Sequence, residues 1–506
     1  MKHAAAVLVA WVVLTAPAHA QVELRATVGA WVTANQRAIV KELLDVLAIP
    51  NVAADRASIR KNAVHLQRML ASRGFAAEVL DTSGNPLVYG DLRVPGATRT
   101  LLLYSHYDGQ PVDAKAWRQP APLKPILRSG RLDQNGKEIA DIAAVARFEP
   151  DWRIYGRSSS DDKAPIVAMC AALDALKAAK LSPSWNVRVV LDGEEEVSSP
   201  SLVPAIAKYQ DKLRADLMVI LDGPIHSSGR PTIAYGARGI VTMNLTVYGP
   251  RAGVHSGNYG NWIPNPAQRL ATLLASMKGD DGRVLVKGFY DGISPLSGEE
   301  RALLAAVPDD RARMLETFGV KAPETAFQGL QDALQYPTLN VRGLSSAHVG
   351  AGARTIIPDR AIAAIDLRLV KETKGADLVE KLRAHVRSQG FFLADGEPDA
   401  QVRAAHDKIA SLAVTETITE AFRTAVADPH ARRVVDALRA TFGSPPVQLR
   451  TLGGTVPIAP FIESLGFPAI LAPTVNFDNN QHEENESLRL GHLFQAIEIV
   501  AAILRS

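Results

Sequence analysis

The stretch that decides the fold reads TLLLYSHYD and occupies residues 100–108. Its first five residues form a short, mostly apolar run of the length of a buried strand, and that run leads directly into His106. Two more runs have the same form. Residues 187–191 (VRVVL) are followed by an acidic segment, and residues 217–221 (LMVIL) are followed by Asp222. The sequence therefore predicts several buried strands that end in metal-binding types of side chain.

Helical apolar spacing surrounds and separates these runs. It is clearest over residues 28–47, 58–73 and 164–179. A last compact run, AILA at residues 469–472, follows near the end of the chain. Short buried strands that alternate with helices indicate an α/β fold, in which a mostly parallel sheet is flanked by helices.

The pattern of the sequence changes at about Gly236. Residues 241–247 and 361–369 alternate in polarity, and residues 267–277 and 378–386 have helical spacing. This indicates an inserted α+β domain, which we expect to act as a lid and to mediate dimerisation. Residues 279–335 receive no assignment. The predicted organisation is a signal peptide (1–20), a catalytic domain in two parts (21–236 and 429–506), and a lid/dimerisation domain between them (237–428).

The N-terminus has the pattern of an export signal. Lys2 and His3 precede an apolar stretch over residues 4–14, and Ala18 to Ala20 resemble a cleavage site. The apolar stretch is shorter than the roughly 20 residues that a membrane-spanning helix needs. We therefore expect a secreted or periplasmic protein, cleaved near Ala20, with no stable membrane anchor.

Composition excludes some classes of protein. The 506 residues carry a formal net charge of only +3, and no dense basic block indicates binding to nucleic acid. The single cysteine, Cys170, lies in an apolar run and cannot form an internal disulfide. We interpret it as a buried structural thiol.

The polar ends of the predicted strands are expected to meet, because ligands of open α/β sheets gather at the carboxyl ends of the strands. A cluster of carboxylates repels itself, and a mixture of imidazole and carboxylate groups suits zinc. Each motif alone has a plainer explanation. The run Glu194 to Glu196 is commonly a solvated charged stretch, and Asp161 or Asp162 would also serve as the N-cap of the following helix.

Together with their neighbours, these motifs resemble a family of di-zinc hydrolases. It includes carnosine dipeptidases, glutamate carboxypeptidases, aminoacylases and succinyl-diaminopimelate desuccinylase, and the carnosine dipeptidase branch is the most similar. The match covers nearly the whole chain in order. Its segments are SHYDGQPVD (105–113), YGRSSSDDKAP (155–165), DGEEEVSS (192–199), LMVILDGP (217–224), HSG (255–257), LGGTVP (452–457) and HEENE (482–486).

The resemblance implies two Zn²⁺ ions, with Mn²⁺ or Co²⁺ as alternatives. Asp161 would bridge the two ions. His106 and Asp222 would complete one site, and Glu196 and His482 would complete the other. Two neighbouring cations can activate a shared water and polarise a carbonyl, which is the chemistry that peptide hydrolysis needs.

Further roles are implied beside the metal ligands. Asp108 would orient His106, and Glu195 would be the general base and acid. The peptide bond between Asp161 and Asp162 would be cis. His255 of the inserted domain would stabilise the oxyanion, commonly across a dimer interface, although a loop histidine with a purely structural role remains an alternative.

Candidate substrate contacts lie in the inserted domain (Thr355 and Arg368) and in the second part of the catalytic domain (Gly454 and Thr455). Arg368 would hold the substrate carboxylate, for which a guanidinium is well suited. Thr355, Gly454 and Thr455 are similarly placed. The plainer alternatives are a solvated arginine in an alternating strand and an ordinary Gly-Gly-Thr turn.

The sequence also departs from the family pattern. Ser198, and Ser158 with Ala164, stand where the family usually has glycine. These departures bear on loop geometry and substrate preference, because no metal ligand is lost.

We therefore expect metal-dependent hydrolysis of dipeptides or short peptides by a homodimer that associates through the lid domain. An N-acyl amino acid hydrolase or a carboxypeptidase would use the same site. A zinc-binding or peptide-binding protein without activity is the non-enzymatic alternative, and the presence of Glu195 argues against it.

Overall fold

The structure is a computed structural model that describes residues 16–506. Most of the predicted signal peptide, residues 1–15, lies outside the described residues. The chain divides into two compact units. The first comprises the chain up to Tyr235 together with Thr424–Gln448 and Pro460–Ser506, and the second comprises Gly236–Arg423 and Leu449–Ala459.

The strands and helices of the described residues are numbered in chain order. The strands are β1 (Ala76–Leu80), β2 (Leu87–Leu92), β3 (Thr100–His106), β4 (Ile126–Arg128), β5 (Arg153–Tyr155), β6 (Asn186–Asp192), β7 (Leu217–Ile220), β8 (Thr232–Ala234), β9 (Gly236–Ala237), β10 (Gly239–Tyr248), β11 (Val254–His255), β12 (Thr338–Ser345), β13 (Ile356–Ile357), β14 (Arg360–Leu369), β15 (Phe392–Leu393), β16 (Ile409–Val414), β17 (Phe422–Arg423), β18 (Val447–Leu449), β19 (Ala469–Leu471) and β20 (Ser487–Arg489). The helices are α1 (Ala16–Leu47), α2 (Arg56–Ala71), α3 (Lys163–Ala178), α4 (Leu202–Leu213), α5 (Ser256–Tyr259), α6 (Pro266–Ala275), α7 (Gly298–Ala305), α8 (Arg311–Phe318), α9 (Leu330–Ala333), α10 (Gly375–Ser388), α11 (Ala400–Ala405), α12 (Pro429–Phe442), α13 (Ala459–Leu465) and α14 (Leu490–Leu504).

The first unit is built on a mixed sheet of eight strands in the order β1-β2-β6-β3-β7-β19-β8-β18. The four strands β6, β3, β7 and β19 run parallel to one another, whereas β1, β2 and β8 pair antiparallel. The parallel strands are buried along nearly their whole length, as their continuous apolar runs predict. The predicted α/β class is confirmed.

Helices cover this sheet. Helix α3 packs against β3 and against both α1 and α14, and α1 also contacts α12. The interior positions of α3 and α14 are almost entirely apolar and buried, Cys170 included, so that this layer supplies much of the core. Among residues 16–506, no helix combines the length and the apolarity needed to cross a bilayer.

The second unit contains a five-stranded sheet in the order β12-β14-β10-β16-β15. Its core lies on one face, where the alternating apolar residues of β10 and β14 pack against α6 and α10. The other face carries the remaining, more polar positions of the same strands. Residues 279–335, which the sequence left unassigned, contain α7, α8 and α9.

Buried His492 in α14 makes the stability of the first unit sensitive to acid. Burial lowers the pKa of His492 to about 4, and its Nδ1 has no hydrogen-bond partner in the described structure. An unfolded histidine takes up its proton near pH 6.5, so that acidification favours the unfolded chain. We expect the free energy of unfolding to lose up to about 3 kcal/mol from this residue as the pH falls from about 6.5 to about 4.

Urea denaturation at pH 7 and pH 4.5 checks this expectation. The variant His492→Gln should lose less stability between the two pH values than the unmodified protein. An equal loss in both proteins would contradict the assignment.

Candidate active site

The candidate site lies at the carboxyl ends of the parallel strands of the first unit. His106 is the last residue of β3, Asp192 is the last residue of β6, and Asp222 follows β7 closely. All three side chains are buried. Because the strands are parallel, their ends lie at one edge of the sheet, where ligands of such sheets bind.

Asp161 lies at the centre of the cluster. Its Oδ1 is 2.9 Å from His106 Nε2, and its Oδ2 is 3.0 Å from His482 Nε2. His482 Nε2 is also 3.3 Å from Glu196 Oε2. Each oxygen of this one carboxylate therefore faces a different imidazole, an arrangement that fits a ligand shared between two cations.

Ligand atoms of the cluster approach one another closely enough to surround cations. The atoms of His106, Asp161 and Glu196 lie within 4.8 Å of one another, and so do those of His106, Asp162 and Asp222. The sequence had not assigned Asp162 to the site. Its Oδ2 accepts hydrogen bonds from the hydroxyl of Ser105 and from the backbone N–H of His106, while its buried Oδ1 has no partner within residues 16–506. The peptide bond between Asp161 and Asp162 is cis, as predicted.

The electrostatics of the cluster favour added positive charge. Burial, followed by the charge of Asp161, raises the pKa of Glu196 to about 8 and the pKa of Asp222 to about 6. The hydrogen bond to Asp161 raises the pKa of His482 to about 9 against the effect of burial. Without cations, the cluster therefore retains protons on its carboxyl and imidazole groups. Carboxylate oxygens and imidazole nitrogens in this setting are suitable ligands for divalent metal ions, which would supply the missing positive charge.

Asp108 holds together the parts of the site that come from β3 and β6. Its carboxylate oxygens accept hydrogen bonds from the backbone N–H groups of Glu195 and Glu196, each at 3.1 Å. Its Oδ1 also lies 3.4 Å from His106 Nδ1. A proton held on Nδ1 leaves Nε2 free to bind a metal. Asp108 thus lies where the sequence placed it, and it also fixes the backbone of the acidic turn.

Glu195 begins the 3₁₀ turn after β6, next to Glu196 in the chain. Its Oε2 is 3.9 Å from His106 Nε2. Burial raises the pKa of Glu195 well above its usual value, and the charges of Asp222, Glu196 and Asp161 add to this effect against the opposing charge of His106. A carboxyl group beside the cluster with an elevated pKa suits a residue that accepts and returns a proton.

Glu486 has a structural role that the sequence had not revealed. Its buried carboxylate accepts hydrogen bonds from the backbone N–H groups of Ser158, Ser160 and Asp161 at 2.9 to 3.0 Å, and it forms an ion pair with Arg157 at 2.9 Å. It therefore fixes the segment that carries the central carboxylate. The only sequence signal was that this acid ends the HEENE motif.

Two of the glycine replacements occupy left-handed backbone. The φ angle is +64° at Ser158 and +67° at Ser198. Glycine adopts this conformation without the steric cost that a Cβ atom brings, which accounts for the glycine usual at these positions in the family. In this chain serine adopts the left-handed conformation at both positions.

The predicted substrate contacts form two groups within the second unit. His255 and Thr355 lie on neighbouring segments: β11 pairs with β13, and the carbonyl of Thr355 accepts a hydrogen bond from the backbone N–H of Ser256 at 3.0 Å. The ring of His255 is exposed, and its Nδ1 accepts a hydrogen bond from the N–H of Gly257 at 3.1 Å. That bond holds the imidazole at the start of a short helical turn.

The other group joins Arg368 to the loop that contains Gly454 and Thr455. Arg368 Nη1 donates a hydrogen bond to Thr455 Oγ1 at 2.8 Å, and the carbonyl of Gly454 accepts one from the backbone N–H of Arg238 at 3.1 Å. Three predicted residues from two separate segments, Arg368 and the adjacent Gly454 and Thr455, are thus brought together. Arg238, which the sequence did not single out, joins them.

Comparison with characterised proteins identifies relatives along most of the chain. The Beta-Ala-His dipeptidase of Homo sapiens is 26% identical over 82% of this chain and 76% of its own length. The Cys-Gly metallodipeptidase dug1 of Schizosaccharomyces pombe is 24% identical over 91% of this chain and 93% of its own length.

Solved structures share the fold. A metallo-carboxypeptidase of the M20 family, Sso-CP2 from Sulfolobus solfataricus, superposes with a TM-score of 0.73 at 27% identity and covers 92% of this chain and 98% of its own. Human carnosine dipeptidase 1 gives the same TM-score at 23% identity and covers 95% and 98% of the two chains.

The prediction of a secreted or periplasmic protein is wrong. The relatives that match nearly the whole chain, the fungal Cys-Gly metallodipeptidases, support no export signal. In addition, α1 runs from Ala16 to Leu47 without a break, through the residues that the sequence had suggested as a cleavage site. The prediction rested on composition alone, namely a basic start before an apolar stretch, and residues 4–14 that form this stretch lie outside the described residues.

A family model decides the classification. It matches residues 102–506, a span that contains the strand ends, the cis peptide bond, the acidic turn and the loop of His482. Apart from Asp162, the clustered histidines and carboxylates are those that the sequence resemblance had indicated. The chain belongs to peptidase family M20/M25/M40.

Proposed function

We propose that this peptidase hydrolyses dipeptides, with two divalent cations, Zn²⁺ by preference, bound in the first unit. One observation carries the proposal: the two carboxylate oxygens of Asp161 face His106 and His482 separately, with the carboxyl group of Glu195 beside them. The names of the curated relatives, a Beta-Ala-His dipeptidase and Cys-Gly metallodipeptidases, support the substrate class.

The ligands would divide into two sets that share Asp161. His106 and Asp222 would complete one set, and Glu196 and His482 would complete the other. Imidazole and carboxylate donors suit zinc, and Mn²⁺ or Co²⁺ could occupy the same donors. Bound cations supply Lewis acidity, which lowers the pKa of a water molecule and polarises the scissile carbonyl.

The protein's own residues would carry the proton. Glu195 would take a proton from the attacking water and return it to the leaving amine, so that one carboxyl group acts first as base and then as acid. Asp108 supports this role because it holds the backbone N–H groups of Glu195 and Glu196 in place. Consecutive residues project differently, which lets Glu196 bind metal while Glu195 serves the substrate.

The second unit would recognise the substrate. Arg368 would bind the C-terminal carboxylate of the peptide with help from Thr455, and the exposed imidazole of His255, near Thr355, would stabilise the developing oxyanion. The hydrogen bond between Arg368 and Thr455 supports a shared role for these two residues.

We also propose a homodimer that associates through the second unit. Strand β12 is at an edge of the five-stranded sheet, and Leu344 at its end is 67% exposed. An unpaired strand edge with an exposed leucine is a natural surface for pairing with a second copy.

Replacement of the proposed base tests the mechanism. Glu195→Gln should retain the bound metal and lose at least about a hundredfold in kcat, because no carboxylate remains to move the proton. Turnover of β-alanylhistidine and cysteinylglycine, together with metal content by elemental analysis, provides the measurement.

The matched control for this variant is Glu484→Gln, which changes an exposed acid next to the metal-binding loop and should leave kcat within about twofold. Activity in Glu195→Gln comparable to that of this control would refute the assignment. Hydrolysis of N-acyl amino acids but not of dipeptides would overturn the proposed substrate class.

Metal binding should release protons at pH 7. In the metal-free protein, the pKa values of about 8 for Glu196 and about 9 for His482 mean that both groups are protonated at that pH. A cation must displace these protons, so that its affinity should rise between pH 6 and pH 8.

Calorimetric titration of the metal-free protein with zinc chloride, in buffers of different ionisation enthalpy, measures the protons released. Glu196→Gln should release fewer protons than the unmodified protein. Heats that do not depend on the buffer would contradict this prediction.

Substitution of the exposed leucine tests the dimer. Leu344→Lys places a charge at the strand edge and should convert the dimer to a monomer, because a lysine there opposes edge-to-edge pairing. Sedimentation velocity gives the masses, and Phe318→Lys, at an equally exposed position of α8, is the control. A monomeric unmodified protein would exclude the dimer.

A further inference from the structure

The loop that Arg368 contacts also binds a second arginine. The backbone N–H of Arg238 donates hydrogen bonds to the carbonyls of Leu452 and Gly454, at 3.2 and 3.1 Å. Thr455, in the same loop, accepts the hydrogen bond of Arg368. The guanidinium group of Arg368 and the backbone of Arg238 are therefore tied to one loop within the second unit.

The pairing of β10 with β14 brings the chain at Arg238 close to Arg368. In the register of β10 and β14, Ile240 lies opposite Arg368. Arg238 lies just before β10, two residues ahead of Ile240, and the charge of Arg368 acts on its guanidinium group. The face of the sheet opposite to Arg368 carries Val241 and Leu367, which belong to the hydrophobic core.

Arg238 is buried, and its hydrogen bonds are incomplete. Only 5% of the residue is exposed. One guanidinium nitrogen, Nη2, donates to the carbonyl of Tyr336, whereas Nε is buried and has no hydrogen-bond partner in the described part of the chain. A buried donor without a partner is costly, and an arginine in that condition points to an acceptor that joins it on binding.

The two guanidinium groups also lack sufficient negative charge nearby. Within residues 16–506, neither Arg238 nor Arg368 forms an ion pair. Asp366 lies on the same face of the sheet as Arg368, but it accepts hydrogen bonds from Asn340. Burial, followed by the charge of Arg368, lowers the pKa of Arg238 to about 10, which agrees with two cations close together and incompletely neutralised.

We propose that Arg238 is a specificity-determining residue that binds the free C-terminal carboxylate of the substrate together with Arg368 and Thr455. This inference rests on the proposed function, since it takes a short peptide as the substrate. Two guanidinium groups and a hydroxyl offer a carboxylate several charge-assisted hydrogen bonds, and the unpaired Nε–H of Arg238 would gain its acceptor. A peptide whose C-terminus is amidated lacks the carboxylate charge and would leave both guanidinium groups without a counter-ion.

The test compares free and amidated substrates. For β-alanylhistidine and cysteinylglycine, we expect Arg238→Gln to reduce kcat/KM by about 10- to 100-fold, mainly through KM, while kcat/KM for the C-terminal amides changes by less than about twofold. Arg238→Lys, which keeps the charge but has fewer donors, should recover part of the preference for the free acid. Equal losses for acid and amide would show that Arg238 is only structural, and no loss for either would also overturn the inference.

A matched control separates recognition from folding. Arg423 is another largely buried arginine of the second unit, but it is paired with its own carboxylate, Glu372. Arg423→Gln should lower the melting temperature at least as much as Arg238→Gln and leave the acid-to-amide ratio unchanged. A change of this ratio in Arg423→Gln as large as that in Arg238→Gln would refute the assignment.

A binding measurement distinguishes this inference from the proposed function. In the metal-loaded Glu195→Gln protein, calorimetry with β-alanylhistidine, cysteinylglycine and their amides reports recognition without turnover. If the free acids bind more tightly than their amides and Arg238→Gln abolishes this difference, the role of Arg238 is supported. This holds even if the unmodified enzyme hydrolyses neither dipeptide. Absence of hydrolysis would refute only the dipeptidase proposal. Free acids that bind no more tightly than their amides would overturn the role of Arg238.

Discussion

The structure of the first unit depends on how a group of buried carboxylates around Asp161 is neutralised. Asp161, Asp162, Glu196 and Asp222 lie together in a place from which water is largely removed, and each ionised group raises the cost of ionising the next. Two histidines offset part of this charge. Divalent cations would offset the rest, so that one electrostatic requirement explains both the choice of ligands and their burial.

The second unit has the opposite imbalance. Arg238 and Arg368 lie near each other, and their positive charge exceeds the negative charge around them. Folding alone would favour apolar residues or complete ion pairs at such buried positions. Each unit therefore has an unfavourable electrostatic contribution of its own. A bound cation would relieve it in the first unit, and a bound anion would relieve it in the second. Costs of this kind are typical of positions selected for binding.

Much of this architecture could be predicted from the sequence, because the central strands are continuous apolar runs and the polar residues at their ends could be located without any knowledge of pairing. The strand predicted at residues 100–104 is two residues longer in the structure, where it ends at His106. Helix α7 could also have been found: Ser297 and Glu300 form a capping box whose residue types and spacing are visible in the sequence. That signal was overlooked within a segment rich in charge, proline and glycine.

Other features could not be predicted, because they depend on contacts between distant segments. Nothing near Glu486 in the chain indicates that it holds the backbone of Asp161, and nothing around Arg238 indicates the neighbouring Arg368. The predicted signal peptide failed for a related reason. Composition alone does not show whether a segment is cleaved, whereas in the structure α1 runs through the predicted cleavage site and packs against α3 and α14.

The bonds of Glu486 also have a consequence for biosynthesis. Asp161 and Glu486 are separated by 325 residues, and both units intervene between them in the chain. A ribosome must therefore complete almost the whole polypeptide before the carboxylate that fixes this segment exists. Nascent chains, and fragments that end before Glu486, would carry Asp161 on a segment that lacks this anchor. The segment that carries the central carboxylate can therefore reach its final, anchored form only late in synthesis.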